Sequence, residues 1–231
     1  MNIKLIKAFK EYNETKVLDI DELQFEENNI YVILGSNGSG KSTLINIISG
    51  LNKLSGGKIL YDDKILNNEI RKEISIMVQK PYLFNTTSKE NILKGLKFRN
   101  FNELEINNAF EKYKSYFNID NLLNKKSKWL SGGERAKIAL LRTAVLETEL
   151  TILDEPTASM DIESSMIAEK LILDMKHKKK TIIIVTHDVN QAMRVADCVI
   201  FMDKGKIIEM GNKNKVLKNP ENRLVKQILN I

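Results

Sequence analysis

A phosphate chain asks its binder for converging N–H donors, a cation and little bulk. The run Gly35-Ser36-Asn37-Gly38-Ser39-Gly40-Lys41-Ser42-Thr43 offers all three. Glycines at 35, 38 and 40 let successive backbone N–H groups turn inward. From Gly35 to Ser42 the stretch fits G-x-x-x-x-G-K-[ST], a phosphate-binding loop. In that pattern Lys41 reaches the β- and γ-phosphates and the Ser42 hydroxyl can ligate Mg²⁺. The flanks support it. Ile30–Leu34 has the length and branching of a buried strand. Apolar residues at 44, 45, 47, 48 and 51 have the spacing of one helix face. The helix start would add unpaired N–H groups and a positive dipole end.

Other residues could complete a hydrolytic site. Leu150–Asp154 reads as a buried strand ending in two adjacent carboxylates, Asp154 and Glu155. A strand sends successive side chains to opposite faces, so the two acids should have different jobs. One can hold Mg²⁺ through water, and the other can accept a proton from an attacking water. The apolar run Thr181–Val185 delivers His187 to a strand end, where open α/β sheets place their sites. Asp188 reads as the cap of a helix over 189–196. Ser131-Gly132-Gly133 precedes an apolar-periodic helix (Ile138, Leu141, Ala144, Val145) and forms a second N-terminal anion site by the same donor argument. Alone that signal is weak, because serine and glycine commonly start helices. Tyr12, in the polar turn EYNET, is either a hydrophobic plug or a stacking plate for a purine.

The elements that must hold these residues are legible in outline. Residues 2–25 alternate loosely and predict short antiparallel strands. Lys58–Tyr61, Asp62-Asp63 and Lys64–Leu66 read as a hairpin, and Ile74–Val78 as a strand ending at Gln79. The loop Pro81–Asn85 is rich in apolar residues, a feature of surfaces that cover or bind something. From 88 to 125 the pattern turns helical. Asn102 with Glu105 resembles a capping box and Phe101 with Ile106 a staple, while Ile106, Phe110, Tyr113 and Phe117 mark one face. Helices are expected at 162–178 and in the tail 214–231, with a hairpin Val199–Met202/Lys206–Glu209 between them.

Composition sets the frame. The chain has 231 residues, 42% hydrophobic and 29% charged, with a net charge of +6, ordinary values for a globular protein. Lysines are scattered among acids, so a solvated surface is the reading, and Lys176–Lys180 is read as a solvated turn. No role is given to His177. The single cysteine, Cys198, excludes an internal disulfide, suits the cytoplasm and reads as a small buried residue. No apolar run is long enough to span a bilayer, and the N-terminus lacks a signal-peptide core.

The ordered set of P-loop, Gln79, Leu130-Ser131-Gly132-Gly133-Glu134, Leu153-Asp154-Glu155, Asp161 and His187 resembles the nucleotide-binding ATPase subunit of ABC transporters over essentially the full chain. A P-loop alone fits many NTPases; LSGGE between it and the Asp-Glu pair is the specific part. The resemblance implies an α/β P-loop NTPase (RecA-like) core with an antiparallel β subdomain over 1–84 and 144–231. A helical subdomain is inserted over 85–143, all in one domain of 1–231. It implies ATP and Mg²⁺ as ligands. Tyr12 would stack on adenine, and Gly35 to Thr43 would be the Walker A loop. Gln79 would touch Mg²⁺ and sense the γ-phosphate. Asp154 would be the magnesium acid, Glu155 the general base, and His187 the switch near the γ-phosphate. Ser131, Gly132 and Gly133 would cap the γ-phosphate of ATP held by the other subunit, and Asp161 would link the two sites. The dimer would be a head-to-tail homodimer.

The same resemblance implies separate transmembrane permease subunits, a substrate-binding protein, and a cytoplasmic, peripheral position on the inner face of the cell membrane. Residues 85–143 and the Pro81–Asn85 loop would form the docking groove. The chain stops soon after the last hairpin, so no extra C-terminal regulatory domain is expected. VLDIDEL, PYLFNTTSKENI and IIEMGNKNKVLKNPEN resemble importers for oxyanions such as tungstate or molybdate, with amino-acid importers next. The alternative is an ABC ATPase that regulates or remodels without transport, as cell-division and lipoprotein-release members do. A nucleic-acid-linked class is disfavoured, because no long coiled-coil insertion or second cassette is present. The chain departs from the family's usual pattern at Glu134, Arg135-Ala136-Lys137, Met160 and Ser36. None of these changes removes a catalytic atom.

Overall fold

The computed structural model describes residues 1–177 and 179–231. Strands β1 (Ile3–Tyr12) and β2 (Thr15–Phe25) form a hairpin, and β3 (Ile30–Gly35) leads into helix α1 (Lys41–Ile48). Then come β4 (Gly56–Tyr61), α2 (Asn68–Lys72) and β5 (Ile74–Met77). Helices α3 (Ser88–Phe98), α4 (Glu103–Lys114) and α5 (Gly132–Ala144) follow, with short 3-10 turns between α4 and α5. The chain then runs through β6 (Leu150–Asp154), α6 (Ile162–Asp174), β7 (Thr181–Val185), α7 (Val189–Val195), β8 (Cys198–Asp203), β9 (Lys206–Asn212), α8 (Lys213–Lys218) and α9 (Arg223–Leu229).

Two sheets result. One is antiparallel, in the order β2-β1-β4. The other has the order β5-β6-β7-β3-β8-β9 and is parallel except for β9 at its edge. The apolar runs are continuous because the larger sheet is covered on both faces. On β3, Ile30, Val32 and Leu34 join the core shared with α5, α6 and α7. Tyr31 and Ile33 face the other way, toward α1 and the antiparallel sheet. β7 repeats the alternation, with Ile182 and Ile184 on one side and Ile183 and Val185 on the other.

Between β5 and β6, which are paired neighbours, the chain makes its helical excursion. The Asn102–Glu105 capping box is present, with both hydrogen bonds at 2.9 Å. Phe110, Tyr113 and Phe117 are buried on the face the spacing marks. The last hairpin turns through Lys204-Gly205, and Asp188 caps α7. Among the described residues no helix is long and apolar enough to cross a membrane.

Several boundaries differ from the sequence reading. Helix α1 ends at Ile48, capped by Ser49, and Leu51 beyond Gly50 is exposed. The Lys58–Leu66 hairpin shrinks to a single Tyr61–Lys64 bridge around Asp62-Asp63, and β4 takes its partner from β1 instead. Helix α6 ends at Asp174, short of 178, because Met175 is its C-cap and the chain must turn into β7; Lys178 lies outside the described residues.

The lysine run is not wholly solvated. Lys176 pairs with both Asp197 oxygens at 2.8 Å. Lys180 is 1% exposed, and its ammonium nitrogen has no hydrogen-bond partner among the described residues. Burial pulls its pKa from the usual 10.5 down to about 8, against the attraction of Glu147. The folded pKa lies below the unfolded one, so the unfolded chain binds more protons between these values. Stability should therefore rise as pH increases from about 8 to 10.5, by at most about 3 kcal/mol. Urea unfolding of Lys180→Met should show a more stable protein than wild type at pH 7, with the difference closing toward pH 10.5. A difference independent of pH would show that the lysine is not titrating in its burial site.

Candidate nucleotide site

The parallel strands β3, β6 and β7 end at the same edge of the sheet, and the candidate residues sit just past those ends. In register, Ile33 lies opposite Val185 and Asp154 opposite Val185. The loop after β3 and the acids at the end of β6 are thereby brought level. A cavity of about 380 Å³ opens there. Its lining includes Tyr12, Asn37 to Thr43, Gln79, Asp154 and Glu155.

The loop needs its glycines for different reasons. Gly40 is the N-cap of α1 at φ 101, and a Cβ there would lie 2.9 Å from the Val17 carbonyl oxygen. Gly38 has φ 79, yet a Cβ on it would meet nothing within 4 Å. Lys41 folds back along the loop. Its ammonium donates to the carbonyls of Gly35 at 2.7 Å and Ser36 at 2.8 Å and to Ser39 Oγ at 3.3 Å. Burial lowers its pKa, and Glu155 and Asp154 oppose that shift.

The two acids do diverge. Asp154 is the last residue of β6 and is 8% exposed. Burial, then the Glu155 charge, push its pKa up, with Lys41 opposing. Glu155 leaves the strand at φ 49, a left-handed conformation uncommon for a residue with a Cβ. Its N–H continues the ladder to Val185 O at 2.8 Å while its side chain turns to the next strand end. There Glu155 Oε1 lies 2.8 Å from His187 Nδ1. The Thr186 hydroxyl lies 3.5 Å from Oε2. The His187 ring is otherwise exposed.

Tyr12 stands at the tip of the β1–β2 hairpin, half exposed, with the Lys10 ammonium 4.9 Å from its ring centroid. Gln79 lies just past β5 and lines both this cavity and a smaller one of about 220 Å³. The smaller space is also lined by Gly132, Arg135, Glu155 and Ser159. Ser131 is the N-cap of α5, and Asp161 caps α6 by accepting from Ser164 N–H at 2.7 Å. Ser131, Gly132, Gly133 and Asp161 do not line the 380 Å³ cavity of their own chain. Gly133 packs closely on the 159–161 turn, where a Cβ would meet Ser159 O at 2.9 Å. Glu134 has a local use. Its carboxylate accepts from Ser131 N–H at 2.7 Å and from the Lys125 ammonium at 2.9 Å, and the Lys125 bond is the main cause of its lowered pKa.

Sequence reasoning missed Val17 and Val185 as cavity walls and Thr186 as a neighbour of Glu155. No local pattern marks them, because each depends on which strands become neighbours.

Residues 18–158 match the family described as "ABC transporter". The tungstate uptake system ATP-binding protein TupC of Peptoclostridium acidaminophilum is 37% identical, over 90% of this chain and 98% of that protein. The chain belongs to the ABC transporter family. It is a P-loop NTPase that binds and hydrolyses ATP. The glutamine transport ATP-binding protein GlnQ of Escherichia coli K12 is 31% identical to this ABC cassette, over 98% of both chains. Among solved structures, the dimeric post-hydrolysis cassette MJ0796 bound to ADP and Pi superimposes with a TM-score of 0.82. It has 26% identity over 91% of this chain and 98% of that one.

The cradle of the ABC cassette can be tested by two glycines. Gly40→Ala should lose ATP affinity and about 2 kcal/mol of stability, from left-handed strain plus the Val17 clash. Gly38→Ala should cost about 1 kcal/mol, from strain alone. Nucleotide titration and thermal unfolding of the two variants check the ranking; equal losses would refute the close contact at Gly40.

Proposed function

We propose that this chain is the ATPase subunit of an importer, working as a head-to-tail homodimer on a separate membrane permease fed by a substrate-binding protein. The observation that carries the reading is the convergence of Lys41, Ser42, Gln79, Asp154 and Glu155 on one cavity at the strand ends. Backbone N–H groups from Asn37 to Thr43 and the α1 dipole would hold the phosphates, with Lys41 exchanging its loop carbonyls for phosphate oxygens. Tyr12 would carry the base. Glu155, oriented by His187 and Thr186, would position the attacking water and take its proton.

The donor set also fits Mg²⁺. Among the described residues no group of three or more acids, histidines or cysteines forms a cage. An ion held by Ser42, Gln79 and Asp154 would complete its shell with water and phosphate, as Mg²⁺ prefers. The buried, raised-pKa Asp154 is a carboxylate whose ionised form a cation would favour. When bound, the ion would neutralise charge developing on the transferred phosphoryl group.

Ser131, Gly132, Gly133 and Asp161 are displaced from the cavity of their own chain, which supports a role for them across a dimer. A solved cassette similar to this chain is dimeric, which supports dimerisation. The exposed aromatics Tyr82 and Phe84 and the helices over 85–143 supply a face for the permease. An oxyanion of the tungstate class is the proposed cargo. The relative named for tungstate uptake has higher identity than the one named for glutamine, 37% against 31%.

Glu155→Gln should keep ATP binding, lose hydrolysis by about 10²-fold or more, and shift from monomer to dimer in light scattering only with Mg-ATP. Hydrolysis at the wild-type rate, or a monomer throughout, would overturn the roles of Glu155 or of the homodimer respectively. Cells lacking this chain should lose tungstate uptake and keep glutamine uptake; the reverse result would replace the cargo class.

A further inference from the structure

Surface loops are ordinarily the least constrained parts of a fold. The loop over 80–87 exposes Tyr82 and Phe84, whose rings meet edge to face at 5.7 Å. Even so, its backbone is held from three sides. From α5, Arg142 Nη1 donates to Tyr82 O at 2.8 Å. From α3, the fully buried Asn91 meets both backbone groups of Phe84. Phe84 N–H donates to Asn91 Oδ1 at 2.8 Å, and Asn91 Nδ2 donates to Phe84 O and Thr87 O at 3.0 Å. From the 3-10 turn ahead of α5, Ser127 Oγ donates to Phe84 O at 2.8 Å and Ser127 N–H to Thr86 O at 2.9 Å.

The grip continues inward. Ser127 O accepts from Arg135 Nη2 at 3.0 Å. Arg135 lines the 220 Å³ cavity together with Gln79, Pro81, Gly132 and Glu155. The loop that begins at Gln79 is thus tied to the same helix whose first turn faces Gln79 across that cavity.

The grip is a poor stability device. Burial alone lowers the pKa of Arg142, and no carboxylate pairs with it among the described residues. Its guanidinium is only partly buried, and its one protein hydrogen-bond partner among the described residues is a backbone carbonyl, a contact that adds little to stability. Asn91 is fully buried and directs its whole amide into backbone groups of one short loop. Such a grip is explained if the loop's position matters to something downstream.

We propose that Asn91, Ser127 and Arg142 are positioning residues for ATP hydrolysis, fixing Gln79 relative to Glu155 by binding its loop to α3, to the turn ahead of α5 and to α5 itself. The proposal rests on the reading of Gln79 and Glu155 as working parts of the site. It adds that the first turn of α5 and the Gln79 loop move as one body, with the small cavity as the space between that body and Glu155. Loosening the grip should then act on the chemical step and leave nucleotide binding alone, since Asn37 to Thr43 lie on a different element.

The test uses Arg142→Met, Arg142→Lys and the isosteric Asn91→Asp in the full chain. Arg142→Met should keep its melting temperature and its ATP dissociation constant, and lose kcat on the order of tenfold. Arg142→Lys, which retains one donor for Tyr82 O, should recover most of the rate. Asn91→Asp sets an oxygen against Phe84 O and Thr87 O in a fully buried site, so it should lower the melting temperature as well as kcat, and the split between the two is read on the Arg142 variants. A merely structural role would move the melting temperature and not split kcat from KM. Hydrogen exchange across residues 79–87 provides the second readout. Faster exchange in Arg142→Met with an undiminished kcat overturns the proposal. Hydrolysis at the wild-type rate by Gln79→Ala or Glu155→Gln strikes the underlying reading of those two residues instead, and the proposal falls with it.

Discussion

The parallel hydrogen-bond ladder through β6, β7 and β3 is the constraint on which the rest depends. Parallel pairing makes neighbouring strands end at one edge, and registered pairing fixes how far each reaches. Val185 faces both Ile33 and Asp154 across its two ladders. The phosphate loop, the acids and His187 are therefore delivered to one place by strands remote in sequence. Because both faces of this sheet are buried, a slip of register would turn its continuous apolar runs against new neighbours in two cores at once. The site inherits its accuracy from that penalty.

Past the last paired residue the chain does what a strand cannot. Glu155 turns into the left-handed region, separating its carboxylate from that of Asp154 and aiming it at His187. Tyr12 enters from the separate antiparallel sheet, so the cavity is walled by two sheets and not one. The buried charge is unevenly matched: Lys41 rests on carbonyls, Asp154 is pushed toward its neutral form, and both have their electrostatic neighbours in each other and Glu155.

What was legible in the sequence was what local rules decide. The β-branched runs at 30–34 and 181–185, the glycine spacing before Lys41, the Asp188 cap and the Asn102–Glu105 box follow from neighbours a few residues away. What was not legible depends on distant packing. Lys180 sits in a run of like charges that reads as solvated, and only the fold places it in the interior. Lys64–Leu66 has strand-forming residues, yet it makes only the Tyr61–Lys64 bridge, and β4 pairs along its length with β1, a strand remote in sequence. Glu134 reads as a departure from a pattern. In the structure it caps α5 and pairs with Lys125, an arrangement in which a carboxylate serves the ammonium better than an amide would. Arg142 and Asn91 give no sequence signal, since their partners are backbone atoms of another segment.

The helical excursion leaves the larger sheet after β5 and comes back as β6, its immediate neighbour. Seen from the sheet, residues 78–149 are a loop with closely spaced anchors. The entropy of closing such a loop grows only with the logarithm of its length. Lineages could therefore lengthen, trim or resurface this segment at small thermodynamic cost while the ladder beneath stayed intact. The length of this segment is thus set almost independently of the ladder that levels Asp154 with the phosphate loop.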